Sequence, residues 1–178
     1  MDTRKIRPHV VGVDPSGAYN EGKGTTGICV LNPEGQLIQH FPVSAQDYTS
    51  QLSYWKAVID YIETMIIKYP GAELSVEDYV LYQSAAAAQI NSEMETSKLI
   101  GALTMFAYEH GTHIFIRNAS QVKKRWSNEI LLHEGTIMQK GRVYTDHEGN
   151  QINHHCLDAV RHAVHCNHFE LDKEKYLR

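Results

Sequence analysis

The chain has 178 residues, 42% of them hydrophobic and 21% charged, the make-up of one globular domain (1–178) with a sizeable core. A net charge of −4 with histidines neutral excludes a global pull on nucleic acid and leaves that to local basic patches acting within a Debye length of about 8–10 Å. No apolar run nears the roughly 20 residues a bilayer needs, the N-terminal run is too short for a secretion signal, and three cysteines without a CxxC fit a reducing, cytoplasmic setting rather than a disulfide framework.

HVVGVD (9–14) is a β-branched run that ends on an aspartate and predicts a first strand. PSGAYNEGKGTTG (15–27) is dense in Gly, Asn and Pro and predicts a loop. ICVLN (28–32) and QLIQHFPV (36–43), joined by a PEG turn, complete an antiparallel meander. From 50 to 70 the period changes, with Leu52, Trp55, Val58, Ile59, Ile62 and Ile66 at helical spacing and Pro70-Gly71 as the stop. AELSVED (72–78) predicts a strand with an acidic end, 90–111 a helix closed by Gly111, and THIFIRN (112–118) a strand. Ser120 is placed as the cap of one continuous helix through QVKKRWSNEILLHEG. Residues 136–152 predict a hairpin, with turns at Lys140-Gly141 and Glu148-Gly149, and a last helix starts near Asn153. Helices between strands imply right-handed crossovers and a mixed sheet, with strands one and four adjacent in its centre.

That order brings Asp14 and Glu77 to one edge of the sheet, where α/β proteins build sites. Asp158, in NHHCLDAVRHAVH (153–165), is a third carboxylate able to join them. Three close carboxylates repel one another and need divalent cations. Hard oxygen donors suit Mg²⁺ or Mn²⁺, and two such ions about 4 Å apart clamp a phosphodiester for in-line attack by water. His155 precedes Asp158 by three residues and shares its helix face, as does His162. His155 is either a metal ligand through its imidazole or a proton shuttle. Read one at a time, a strand-ending Asp14 or Glu77 is an ordinary turn starter, and Asp158 in a first helical turn complements the macrodipole. A different reading takes Cys156, His162, His165, Cys166 and His168 as a zinc-stabilised binding module, although they lack two-knuckle zinc spacing.

At these residues the sequence resembles RuvC-type Holliday junction resolvases of the RNase H-like superfamily, above all the short RuvC-like proteins of phages of Gram-positive bacteria. VVGVDPSGAYNEGKGTTGICVLN resembles the family's first motif, with an Asp before a small-residue turn and a Thr-Gly opening strand two. LSVEDYVLY resembles the second, IFIRNASQVKKRW the strand–turn–helix with a Ser before a basic pair, and NHHCLDAVRHAVH the last. The resemblance covers roughly residues 9–168. It implies an RNase H-like α/β fold: a five-stranded mixed sheet flanked by helices, here with an extra hairpin before the last helix. It implies a metal-dependent endonuclease that nicks four-way junctions and other branched DNA as a homodimer. By position Asp14, Glu77, His155 and Asp158 become catalytic residues and ligands of two Mg²⁺ or Mn²⁺ ions. His154 is the rival for the place given to His155, and Asp78 is left out because it points to the other strand face. The hairpin at 135–152 and the long loop after Asp14 depart from the cellular resolvases.

Lys123, Lys124 and Arg125, followed by Trp126, form the clearest basic cluster and are read as DNA-backbone contacts at the start of a helix. Lys98 joins them as DNA-facing. Leu99, Leu103 and Phe106 are placed in the core or a dimer contact, Arg4, Lys5 and Arg7 on a basic arm, and Tyr79 and Tyr82 where an aromatic could wedge into a junction. The competing activity on the same fold is hydrolysis of RNA–DNA hybrids or flaps.

Overall fold

The structure, a computed structural model, describes residues 7–19, 23–80 and 94–170. Five strands form one mixed sheet: β1 (Val10–Asp14), β2 (Thr25–Leu31), β3 (Leu37–Ser44), β4 (Glu73–Asp78) and β5 (Ile114–Asn118), in the order β3-β2-β1-β4-β5. β1 is antiparallel to β2 and parallel to β4, with Val13 opposite Val76. One further step puts Asp14 beside Glu77, so the expected central pair is present. β2 starts three residues earlier than expected.

Helix α1 (Gln51–Lys68) follows β3 after a 3₁₀ turn, α2 (Glu95–Glu109) follows β4, and α3 (Ala119–Arg125) and α4 (Asn128–His133) follow β5. A small hairpin, β6 (Met138–Lys140) and β7 (Val143–Thr145), leads to α5 (His154–His165), which runs into a π-helical turn. Ser50 caps α1 reciprocally with Ser53, and Asn153 caps α5 by accepting the Cys156 N–H. Among the described residues no helix is long and apolar enough to cross a membrane.

Strand parity explains both cores. On β1, Val11 and Val13 face α1 and α2, while Val10 and Gly12 face α5. On β4, Leu74 and Val76 face α1 and α2, and Ser75 donates to the His162 carbonyl of α5 at 2.9 Å. The first face is therefore large and apolar on both central strands. The second is small in its middle (Gly12, Ser75) and acidic at its end (Asp14, Glu77). Small residues there let α5 approach closely: a Cβ on Gly12 would lie 2.3 Å from the Ala159 carbonyl oxygen and 2.9 Å from the Ala163 Cβ.

Three expectations need correction. The buried stripe of α1 is Tyr54, Val58, Ile62 and Met65, and Leu52 is 73% exposed. Tyr54 can take the inward place because its hydroxyl donates to the Ser16 carbonyl at 2.8 Å and meets Thr26 Oγ1 at 2.8 Å. The expected single helix from Ser120 is two: Asn118 caps α3, and Ser127 starts α4 by accepting the Ile130 N–H. Lys123, Lys124 and Arg125 therefore lie in the last turn of α3, where cations complement the dipole, and not at a phosphate-receiving N-terminus. Leu99, Leu103 and Phe106 are core, as is Trp126. Arg4, Lys5 and Tyr82 lie outside the described residues. Arg7 hydrogen-bonds Asn167, and Tyr79 packs partly against the core.

Candidate active site

Asp14 ends β1, Glu77 lies near the end of β4, and His155 and Asp158 come from the first two turns of α5. His155 Nδ1 lies 3.0 Å from Asp14 Oδ2, while His154 is exposed beside it. Gly27 of β2 makes this pairing possible, because a Cβ there would meet the His155 carbonyl carbon and oxygen at 2.2 Å. Asp158 falls in the second turn of α5, so the macrodipole gives it no structural excuse. Asp78 is exposed, on the other side of the strand from Glu77.

Two cations thread the carboxylates. Lys123 Nζ is 2.8 Å from Asp158 Oδ2 and 3.5 Å from Glu77 Oε2. Arg161, one turn after Asp158, donates to Asp158 Oδ1, to the Trp126 carbonyl at 3.1 Å and to Asn128 Oδ1 at 2.5 Å. Arg161 thus ties the carboxylate to the break between α3 and α4. Sequence reasoning missed it, and treated Lys123 only as a backbone contact. The signal for Arg161 was its i,i+3 spacing to Asp158, which in a sequence reads as a solvated helix face.

The electrostatics record too much negative charge in one place. Burial raises the Asp14 carboxyl above its usual range, the His155 hydrogen bond opposes this, and the charges of Glu77 and Asp158 raise it further. The hydrogen bond with Asp14 raises His155 against the effect of burial, aided by the charges of Asp14 and Asp158. Burial disfavours charge on Lys123, but its bond to Asp158 and the nearby Glu77, Asp158 and Asp14 outweigh that and hold it above the ordinary ammonium value.

As the side chains stand, no three His, Cys, Asp or Glu groups among the described residues gather closely enough to hold a metal ion. Lys123 and Arg161 pair with the carboxylate oxygens there. One atom is left over. Glu77 Oε2 is buried and has no hydrogen-bond partner. A buried carboxylate oxygen that accepts no hydrogen bond, in a set of three carboxylates and an imidazole, fits a hard divalent cation. Lys123 is 41% exposed at its side chain, with solvent on its open side. Lys124 is exposed next to it, Arg125 stacks on the Phe169 ring at 3.9 Å, and Lys98 is exposed on α2.

Arg161 and Lys123 should separate on substitution. Arg161→Ala removes a nearly buried fork with charged and neutral acceptors, and is expected to lower stability by about 2 kcal/mol in urea denaturation. Lys123→Ala, at a cation half out in solvent, is expected to lower the urea midpoint by clearly less than Arg161→Ala and to weaken DNA binding. Equal midpoints for the two variants would contradict the roles given to these cations.

The zinc grouping does not assemble. Cys29, Cys156 and Cys166 are buried in the apolar core beneath α5, and burial pushes the Cys156 thiol up to about 12. His165 accepts from the Trp126 indole at 3.3 Å, and the His168 ring packs on Trp126. A thiol reagent is expected to modify none of the three cysteines in the native protein and all three in denaturant; fast native labelling of one would contradict this packing.

No protein-family model matches the chain, and no curated protein matches it in sequence. Solved structures do. A T. thermophilus RuvC in complex with a Holliday junction substrate superposes with a TM-score of 0.66 at 14% identity, covering 93% of this chain and 96% of that one. A second Thermus thermophilus RuvC structure gives 0.58 at 16%, covering 92% and 96%. The chain has a RuvC-like fold, as the sequence motifs led us to expect.

Proposed function

We propose that a chain with this fold and this acidic cluster is a divalent-metal-dependent endonuclease that nicks four-way DNA junctions. The observation that carries the reading is Glu77 Oε2, a buried carboxylate oxygen that accepts no hydrogen bond where β1, β4 and α5 meet, with Lys123 and His162 beside it. The RuvC-like fold, matched in one case by a RuvC bound to a Holliday junction, supports the substrate. Asp14, Glu77, Asp158 and His155 would hold Mg²⁺ or Mn²⁺, in one or two sites. Bound there, the metal supplies Lewis-acid polarisation of the scissile phosphate and a bound water of lowered pKa. Arg161 keeps Asp158 aimed inward. Lys123, displaced from Glu77 and Asp158, becomes a cation for the DNA backbone at the reacting phosphate, with Lys124, Arg125 and Lys98 as flanking contacts that position the strand without reading sequence. His155 either binds metal or accepts a proton beside Asp14.

A single domain, 1–178, carries the reading, and the working unit is a homodimer that faces a junction with two sites. The outward faces of α1 and α2 support this, with Leu52, Ile67, Met105 and Tyr108 all more than half exposed. Cleavage by a cytoplasmic, phage-type enzyme is tested on a labelled synthetic junction with Mg²⁺, Mn²⁺ or EDTA, beside linear duplex, a flap and an RNA–DNA hybrid. Paired nicks in opposing strands of the junction, lost in EDTA and much weaker on duplex, are expected. Preferential cutting of the hybrid or flap would keep the nuclease and replace its substrate. No metal-dependent cutting of any of the four would overturn the reading.

A further inference from the structure

We infer that His162 is a positioning residue, a fully buried ring beneath the acidic cluster that sets the direction of the Glu77 carboxylate and through it the affinity of the site for a divalent cation. The inference rests on the metal-dependent reading above. His162 is 0% exposed, the only histidine among the buried polar residues described. Its Nε2 lies 3.2 Å from Glu77 Oε2. Neither atom forms a hydrogen bond as the two groups stand, and His162 Nδ1 has no partner either. The distance is that of a hydrogen bond and only the direction is off, so a small turn of the ring aligns an Nε2–H with Oε2.

The surroundings hold ring and carboxylate together. His162 is four residues after Asp158 on α5, on the same helix face. Glu77 is two residues after Ser75 on β4, on the same strand face. Ser75 Oγ donates to the His162 carbonyl at 2.9 Å and so fastens β4 to the turn that carries the ring. Lys123, the other cation near Oε2, is half out in solvent and pairs more closely with Asp158. When Lys123 swings away, the buried ring is the group still in place beside Glu77. A donor fixed to one carboxylate oxygen limits the directions in which the carboxylate can present its lone pairs to a cation. Partners of this outer kind commonly change metal affinity by about 10–100-fold.

The test uses the full-length chain and a readout separate from cleavage: binding of Mn²⁺ followed by electron paramagnetic resonance of the free ion. His162→Leu fills the buried space without a donor and is expected to weaken Mn²⁺ binding by about 10–100-fold. His162→Gln keeps an N–H able to reach Oε2 and is expected to recover most of that loss. A folded His162→Leu protein with wild-type affinity, or a His162→Gln protein no better than His162→Leu, overturns the inference. If His162→Leu does not fold, the wild-type imidazole ¹⁵N spectrum decides, with the His162 signal assigned by its loss in His162→Gln. The Nε2–H tautomer is expected, and the Nδ1–H tautomer overturns the role. Wild-type protein that binds no Mn²⁺ at all would instead bring down the nuclease reading itself, and this inference with it.

Discussion

Asp14→Asn is expected to lower junction cleavage by on the order of a thousand-fold while leaving junction binding equal to or tighter than that of the wild type. A bound cation supplies several kcal/mol of charge stabilisation in phosphodiester cleavage, and each 1.36 kcal/mol is a factor of ten in rate. Weakening one ligand from carboxylate to amide removes a large part of that. Binding does not fall, because the substitution takes one negative charge away from the path of a phosphate. The same change should raise the melting temperature of the metal-free protein in EDTA. Burial and the charges of Glu77 and Asp158 raise the Asp14 carboxyl, with His155 opposing. An acid whose folded pKa lies above its unfolded value destabilises the fold once pH exceeds both, so at pH 7 a neutral asparagine relieves strain. Asparagine keeps an oxygen for His155, so the local geometry survives. Cleavage kinetics, junction binding in Ca²⁺ or EDTA, and calorimetry read the three effects. A folded Asp14→Asn protein that still cuts in Mg²⁺ would remove Asp14 from the ligand set, and a lower melting temperature would show that its charge is an asset to the fold.

The opposite signs of those effects on rate and stability are what a functional cluster predicts. Parts of the candidate site were legible in the chain and parts were not. Asp14 and Glu77 could be chosen because each ends an apolar strand and the order of elements puts those two strands side by side and parallel, as they are in the sheet. His155 could be chosen over His154 from i,i+3 spacing alone, and it is the one placed on Asp14. Arg161 and Asn128 were not readable. Their meeting depends on the break between α3 and α4, and the apolar pattern of VKKRWSNEILL continues through it. The break had a local signal in Ser127-Asn128-Glu129, a cap followed by an acid in the first turn. Tyr54 was missed for a related reason. Its inward place depends on a hydroxyl network with Thr26 and Ser16 that periodicity does not carry. Lys123 was assigned to DNA from its basic cluster and an expected helix start, since its pairing with Asp158, 35 residues on, has no signal in spacing along the chain.

Gly27→Ala carries the sharpest test of how the fold makes the site. The Thr-Gly pair that opens β2 is a motif in the sequence, and the structure gives its physical cause. Asp14 pairs with Gly27 across β1 and β2, and the backbone of His155 lies over that glycine. A methyl group there would sit 2.2 Å from the His155 carbonyl and 2.6 Å from the Cys156 nitrogen. Those are backbone atoms in the capped first turn of α5, and they cannot rotate aside as a flexible side chain would. The helix end must lift, and His155 leaves Asp14 with it. Overpacking of this kind costs about 1–3 kcal/mol, which for a domain of this size lowers the melting temperature by roughly 2–4 °C per kcal/mol. The rate should fall further than stability does, because a displacement near 1 Å at a reacting group costs on the order of a hundred-fold. Gly101, exposed on α2 with open space around its Cβ direction, is the control: Gly101→Ala should be neutral or slightly stabilising. Thermal melts and single-turnover cleavage of both variants decide it. If Gly27→Ala keeps wild-type rate and melting temperature, α5 is not seated by that glycine, and the close approach cannot be what delivers His155 and Asp158 to the ends of β1 and β4.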